Sequence, residues 1–287
     1  MLKPIYNAAA AASAWLARRP GYMLLTAPDE RLAGELPQRF ARAWIGVMVT
    51  SVLWGGVLAN LWGVTWKVFR DYDPLVLPAM ATAGLFCLWP YRRGVAALAE
   101  LLSRRDAAVR SVTTAVVVLV VALSLLGLKP DWHRWEFDLP GWLVWLLRQV
   151  GLNDPDRIER SLRWLRPQAK LYRVLLLMPP WGGWAMLIGV KFSRPTDRTE
   201  PQVAAFARGC GALAAAACMA LLMLVSVAWF HHLGTGSQVA ILVVTVLAAV
   251  LGGAALCRAA GGPTRKALLA SNVTTQIAFV LAYLAGR

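Results

Sequence analysis

Acidic residues are scarce in this sequence of 287 residues, where 15 Asp and Glu stand against 30 Lys and Arg. They also avoid the apolar stretches, with Asp71 and Asp73 only at the edge of one. That disfavours a proton-coupled carrier, which needs ionisable groups inside the membrane. Histidine is rarer still. Of His133, His231 and His232, the adjacent pair points about 100° apart on a helix, too divergent to hold one metal. The four cysteines, Cys87, Cys210, Cys218 and Cys257, lack C-x-x-C spacing. No haem, zinc or iron–sulfur site is expected on these counts, and no cofactor. Walker, G-x-S-x-G and H-E-x-x-H motifs are missing, which removes support for ATPase, esterase and zincin readings. Residues 1–27 also lack the features of a signal peptide.

What the chain does have is apolar length. Hydrophobic residues make up 58% and charged ones 16%. Seven stretches are long and apolar enough to be read as spans, at 43–65, 74–90, 111–128, 174–190, 206–230, 238–257 and 268–285. Only helices satisfy the backbone across so many, so the expected fold is an all-α polytopic transmembrane bundle of about seven spans. The second and fourth are the least regular, broken by Pro74, Pro78, Pro179 and Pro180.

The net charge of +15 follows topology. Short segments before the first span and between spans 2/3, 4/5 and 6/7 hold 18 Lys and Arg; those on the other side hold Lys67, Arg70 and Arg287. The asymmetry predicts a cytoplasmic N-terminus and an outer C-terminus in a bacterial inner membrane. It fits anionic lipid headgroups as partners and argues against nucleic acid. Most of the 14 tryptophans fall near span ends, where interfacial anchoring accounts for them.

The chain divides into a cytoplasmic amphipathic segment (1–42), spans 1–3 (43–128), an outer cap (129–173) and spans 4–7 (174–287). In the first, "YNAAAAASAWLA" reads as an interfacial helix ended by Arg18, Arg19 and Pro20, and Asp29 and Glu30 mark a second helix start. In the cap, "LPGWLVWLLRQVGL" is too short to span and suits the membrane plane, and "DPDRIERSLRWLR" begins like a capped helix. The cap is therefore expected to be two interfacial helices.

Three basic turns meet the cytoplasm: "PYRRGVAALAELLSRRDAAVR", "KFSRPTDRTEPQVAAFARG" and "CRAAGGPTRKALLASN". In the last, Gly261, Gly262 and Pro263 should end the sixth span and Thr264 should cap the seventh. Backbone amides would then face the cytoplasm among Arg258, Arg265 and Lys266. With Arg93 and Arg194 from the other turns, they form a candidate anion or lipid-headgroup site without metal.

At these turns the chain resembles the cobalamin synthase family, the membrane adenosylcobinamide-GDP ribazoletransferases. Arg258, Gly261, Gly262 and Thr264 match that family's terminal Arg and Gly-Gly-x-Thr-Gly-Asp turn, and "WGGWAMLIGVKFSRPTDRTEPQVAAFARG" is similar to its middle segment. The likeness runs through about 175–285, is an outline over 40–128, and leaves 129–173 as an insertion. The family's Asp-Gly-Leu-Ala-Asp-x-x-Asp metal signature is replaced by "RGVAALAE", with Arg93, Ala97 and Glu100 at the aspartate positions. Arg265 and Lys266 replace the terminal Gly-Asp. The resemblance thus implies a pseudoenzyme that has lost Mg²⁺-dependent ribazole transfer.

The expected function is a non-catalytic structural or scaffolding subunit of a membrane complex, with other membrane proteins and lipids as partners. An enzyme or binder acting on a phosphate-bearing or lipid-linked substrate at the cytoplasmic face is the alternative, and a transport subunit a third.

Overall fold

The computed structural model describes residues 15, 17–69, 75–103, 106–128 and 170–287. Among these, every regular element is helical. The expected interfacial helix before Arg18 and the expected outer cap at 129–173 lie outside the described residues, save for the cap's last four.

Prolines open several elements, as their missing N–H is harmless in a first turn. Pro20 starts α1 (Pro20–Thr26) and Pro201 starts α8 (Pro201–Gly209). Asp29 and Glu30 lie in the first turn of α2 (Asp29–Ala33), and a 3₁₀ turn follows at Pro37–Phe40. Among the described residues, six helices are long and apolar enough to cross a membrane: α3 (Ala43–Phe69), α6 (Ala107–Gly127), α7 (Lys170–Phe192), α9 (Ala212–Trp229), the continuous Thr235–Ala260 and α12 (Arg265–Gly286). The chain is an integral membrane protein. The span Thr235–Ala260 comprises α10 (Thr235–Leu247), a π turn (Ala248–Gly252) and α11 (Gly253–Ala260).

The expected span at 74–90 is not one long helix. α4 (Val76–Leu88) has 13 residues, about 20 Å of helix, and ends before Pro90, which has no N–H to continue it. The chain restarts as α5 (Arg92–Leu102). Trp89 meets Trp54 of α3 with ring centroids 5.1 Å apart, so α4 stops near the middle of its neighbour. Tyr91 lies beside Gln276, inside α12. Gly94 packs on Leu269 and Val273, and Glu100 reaches Lys266 at the start of α12. Hence α5 runs from the interior to the face where α12 begins, called here the Arg265 face. In place of one long helix, the chain has two half-length helices here, α4 apolar and α5 opening with Arg92 and Arg93. The expected span at 206–230 also divides, because extended backbone at Cys210 and Gly211 separates α8 from α9.

Helices α7 and α12 form the centre, with 83% and 67% of their apolar windows buried against 17% for α9. Their contact needs small residues on α7. A side chain at Gly182 would strike Asn272 Oδ1 at 2.6 Å, and Gly189 lies under Leu268. Pro179 and Pro180 sit inside α7 and free two carbonyls of the preceding turn. Gly55 of α3 packs on one of them, Leu176 O, where a Cβ would come within 2.5 Å. The polar residues Asn60, Thr65, Thr113, Thr114, Ser124 and Thr245 do not join helices as their chemistry allows. Each donates to a carbonyl of its own helix, three or four residues back.

A second apolar cluster closes the Arg265 face. Met23, Leu24, Phe40, Phe206, Met186 and Leu268 join α1, the 3₁₀ turn and α8 to the inner ends of α7 and α12.

Candidate functional site

Two elements meet at the expected anion site. Gly261 adopts φ +77° at the end of α11, and its N–H bonds to Arg258 O at 3.1 Å. Gly262 N donates to Cys257 O at 2.8 Å, which completes a Schellman stop. Gly262, at φ +145°, leaves no room for a Cβ, which would fall 2.3 Å from Thr196 Oγ1. Thr196 in turn donates to Gly261 O at 2.7 Å. Thr264 then caps α12, accepting from Ala267 N at 3.3 Å. The stop and the cap fall where the residue types place them.

The charges are disposed differently from the expectation. Arg265 is 3% exposed and does not face solvent. Its guanidinium donates to Leu24 O at 2.9 Å, Met23 O at 3.1 Å and Ala27 O at 2.7 Å, and pairs with Asp29. These carbonyls belong to the end of α1, where a cation is favoured by the helix dipole. Arg265 is therefore a staple between α12 and the N-terminal helices, its donors already engaged. Lys266 pairs with Glu100 at 2.9 Å, and Arg93 stands 3.9 Å from Asp29. Arg194 and Arg258 are exposed.

Three backbone amides at the start of α12 are engaged as well. Arg265 N donates to Glu200 Oε2 at 3.0 Å, Ala267 N to the Thr264 hydroxyl, and Leu268 N to Thr264 O at 3.1 Å. A helix N-terminus favours an anion, and here the chain supplies a carboxylate of its own. Of the carboxylates gathered here, the sequence marks Glu100 only as a remnant at the metal signature and Asp29 only as a helix start. Glu200 is the one it does not single out, although it lies within a basic turn.

A cavity of about 740 Å³ opens beside this turn, lined by Glu100, Arg198, Glu200, Thr264, Lys266 and apolar neighbours. A smaller one of about 260 Å³ adjoins it through Glu100 and Lys266 and includes Asp29, Arg93 and Arg265. Arg198 lies against Gly261, 3.1 Å from where a Cβ would stand. Cationic and anionic side chains alternate around both, so neither is a purely basic pocket.

Magnesium, which the family resemblance implies, does not fit these residues. The ion takes carboxylates in near-octahedral geometry. The converging cations here are Arg93, Arg265 and Lys266; Asp29 is taken up by Arg265, and Glu100, which stands where that family has its last signature aspartate, is held by Lys266. Among the described residues no three His, Cys, Asp or Glu side chains cluster as a metal site. Outside the spans, burial pushes the Cys210 thiol up to about 11 against the pull of Lys191, so this cysteine is not poised as a nucleophile.

No family model, curated protein or solved structure matches the chain.

Proposed function

We propose that this protein is a non-catalytic membrane subunit, a pseudoenzyme on the plan of the cobalamin synthases, that serves as a scaffold in a complex of the bacterial inner membrane. One observation carries the reading. Where the resemblance puts a metal-bound diphosphate, the chain's own charges meet each other: Glu100 with Lys266, and Glu200 with the first amide of α12. Substrate phosphate would have to displace Glu200, and a divalent cation would have to displace Lys266. Loss of both contacts opposes turnover. The N-terminus lies in the cytoplasm on this reading, by the excess of Lys and Arg at the Arg265 face.

Exposed Arg194, Arg198, Arg258 and Lys266 on that face hold anionic lipid headgroups. The partner subunits dock on the apolar flanks of the outer helices, of which α9 is the least covered among the described residues. Purification from native membranes in mild detergent should recover a stable complex with at least one other membrane protein. An assay of ribazole transfer from adenosylcobinamide-GDP with Mg²⁺ should give no product. Turnover in that assay would overturn the pseudoenzyme reading, and a monomer without partners would overturn the scaffold.

The cavity of about 740 Å³ favours a second reading, a binder of a phosphate-bearing or lipid-linked molecule at the same face. Arg198 and Lys266 would contact its phosphate. Saturable binding of such a ligand, lost in Arg198→Gln, would select it.

A further inference from the structure

Three segments lose regular helical hydrogen bonding beside one short stretch of α12. α7 carries Pro179 and Pro180, the span Thr235–Ala260 passes through its π turn, and α4 and α5 are parted at residues 89–91. The stretch of α12 beside them reads "SNVTTQ", Ser271 to Gln276, and Ser271, Asn272, Thr275 and Gln276 have no exposed surface. A Cβ on Gly182 would stand 2.6 Å from Asn272 Oδ1 and 2.7 Å from Gln276. One on Gly183 would stand 2.5 Å from Ser51 Oγ, and one on Gly253, just past the π turn, 2.9 Å from Ser271 Oγ. Tyr91 brings its hydroxyl to Gln276 from the α4–α5 joint, short of a regular hydrogen bond.

These groups satisfy one another only in part. Gln276 donates to Asn272 Oδ1, and Asn272 donates to Met186 Sδ at 3.3 Å. Ser51 Oγ, Tyr91 Oη, Ser271 Oγ, Thr275 Oγ1 and Gln276 Oε1 make no regular hydrogen bond among the described residues. Native interiors leave few buried polar atoms unpaired, and such groups are commonly served by ordered water. Thr245 shows the alternative, donating to Ile241 O of its own helix at 2.6 Å. The hydroxyls of Ser271 and Thr275 do not take it. Irregular backbone at membrane depth persists where it is buried in protein or lines water.

We propose that this polar centre binds resident water in the interior of the bundle. Its donors and acceptors are uncharged hydroxyls and carboxamides, which suit an uncharged hydrogen-bonding ligand and not an ion. Gly182, Gly183 and Gly253 press their own backbones against these side chains, which limits that ligand to the smallest size. Toward the Arg265 face the seam is tight: a Cβ on Gly94 would stand 2.6 Å from Val273 and 2.9 Å from Leu269 O. The water is therefore held in place and does not pass through as in a channel.

Hydroxyl-radical footprinting of the full chain in proteoliposomes tests this, with radiolysed water as the probe. Radicals formed from bound water oxidise what they touch, however deeply buried. Tyr91 and Met186, 3% and 0% exposed, should be oxidised at least tenfold more than the equally buried Phe206 and Met23 of the other apolar cluster. After rapid mixing into H₂¹⁸O the label should still carry ¹⁶O. Gln276→Leu should lower labelling at Tyr91 at least threefold, and the wild-type comparison stands whether or not that variant folds. Labelling of Tyr91 and Met186 no greater than of Phe206 and Met23 would overturn the site. Immediate incorporation of ¹⁸O would overturn residence in favour of an open path.

Discussion

The carboxylate of Glu200 accepts the backbone N–H of Arg265 at 3.0 Å, so the last span begins against an anion from its own chain. The two residues lie 65 positions apart. Between them runs the pair of helices that separates α8 from the turn at Gly261. The contact locks the loop after α7 onto the start of α12, alongside the Thr196–Gly261 hydrogen bond at 2.7 Å.

Replacing Glu200 by Ala should destabilise the protein by about 1–3 kcal/mol, the range for a charge-assisted hydrogen bond at a helix start. Sulfate should then recover part of the loss, since the freed amide meets an external anion. Thermal melts with and without sulfate check this. Equal stabilisation of the wild type by sulfate would show that Glu200 does not close the site.

Arg265 and Lys266 are adjacent but should behave differently. Arg265→Met removes a buried guanidinium from three carbonyls and Asp29, and should cost about 3–5 kcal/mol. Limited proteolysis should also open the chain near α1 and α2. Lys266→Gln breaks a half-exposed pair with Glu100 and should cost no more than about 1 kcal/mol. Equal losses in the two variants would refute the staple.

Gly55 and Gly182 set the distance from α3 and α12 to α7. In each, a Cβ would fall under 3 Å from Leu176 O or from the Asn272 and Gln276 side chains. Gly55→Val should be the worse, because a backbone carbonyl cannot swing aside as a side chain can. Overpacking of this kind costs about 1–3 kcal/mol or more. Gly56, with nothing within 4 Å, is the matched control and should tolerate Ala.

Single cysteines at Ser193 and Ser237 should label from opposite sides of the membrane. Ser193 follows α7 at the Arg265 face, whereas Ser237 touches Gly286 at the far end of α12. On the proposed orientation Ser193 should label from the cytoplasmic side. Native Cys210, buried and held neutral with its thiol near 11, should stay silent at pH 8. Labelling of both engineered sites from one side would refute the topology.

Span positions were legible because apolar length and the backbone's need for internal hydrogen bonds leave few choices. The Gly261 stop and the Thr264 cap were legible for a similar reason, since each depends on the local preferences of one residue. The partition of charge was not. Whether Arg265 faces water or the end of α1 depends on Asp29 and Leu24, more than 230 positions away, and no local pattern encodes that meeting. The half-length α4 and α5 were hinted at by the prolines around 74–90, but an apolar count does not reveal how deep a break lies. Ser271 to Gln276 were hidden for the opposite reason. The stretch is short and uncharged, and only the packing of three irregular segments against it shows its concentration.

The hold of Arg265 on Met23, Leu24, Ala27 and Asp29 also constrains how the protein is made. Those contacts join positions 236 to 242 residues apart. Helices α1 and α2 leave the ribosome well before the guanidinium that fastens them, which is synthesised more than 230 residues later. Until α12 has been inserted, the carbonyls at the end of α1 have no such cation, and the apolar face of Met23, Leu24 and Leu25 lacks part of its cover. During that interval this segment carries apolar surface and carbonyls that the finished fold covers. A chain released before Arg265 would remain unlatched at its beginning and become a substrate for membrane proteolysis.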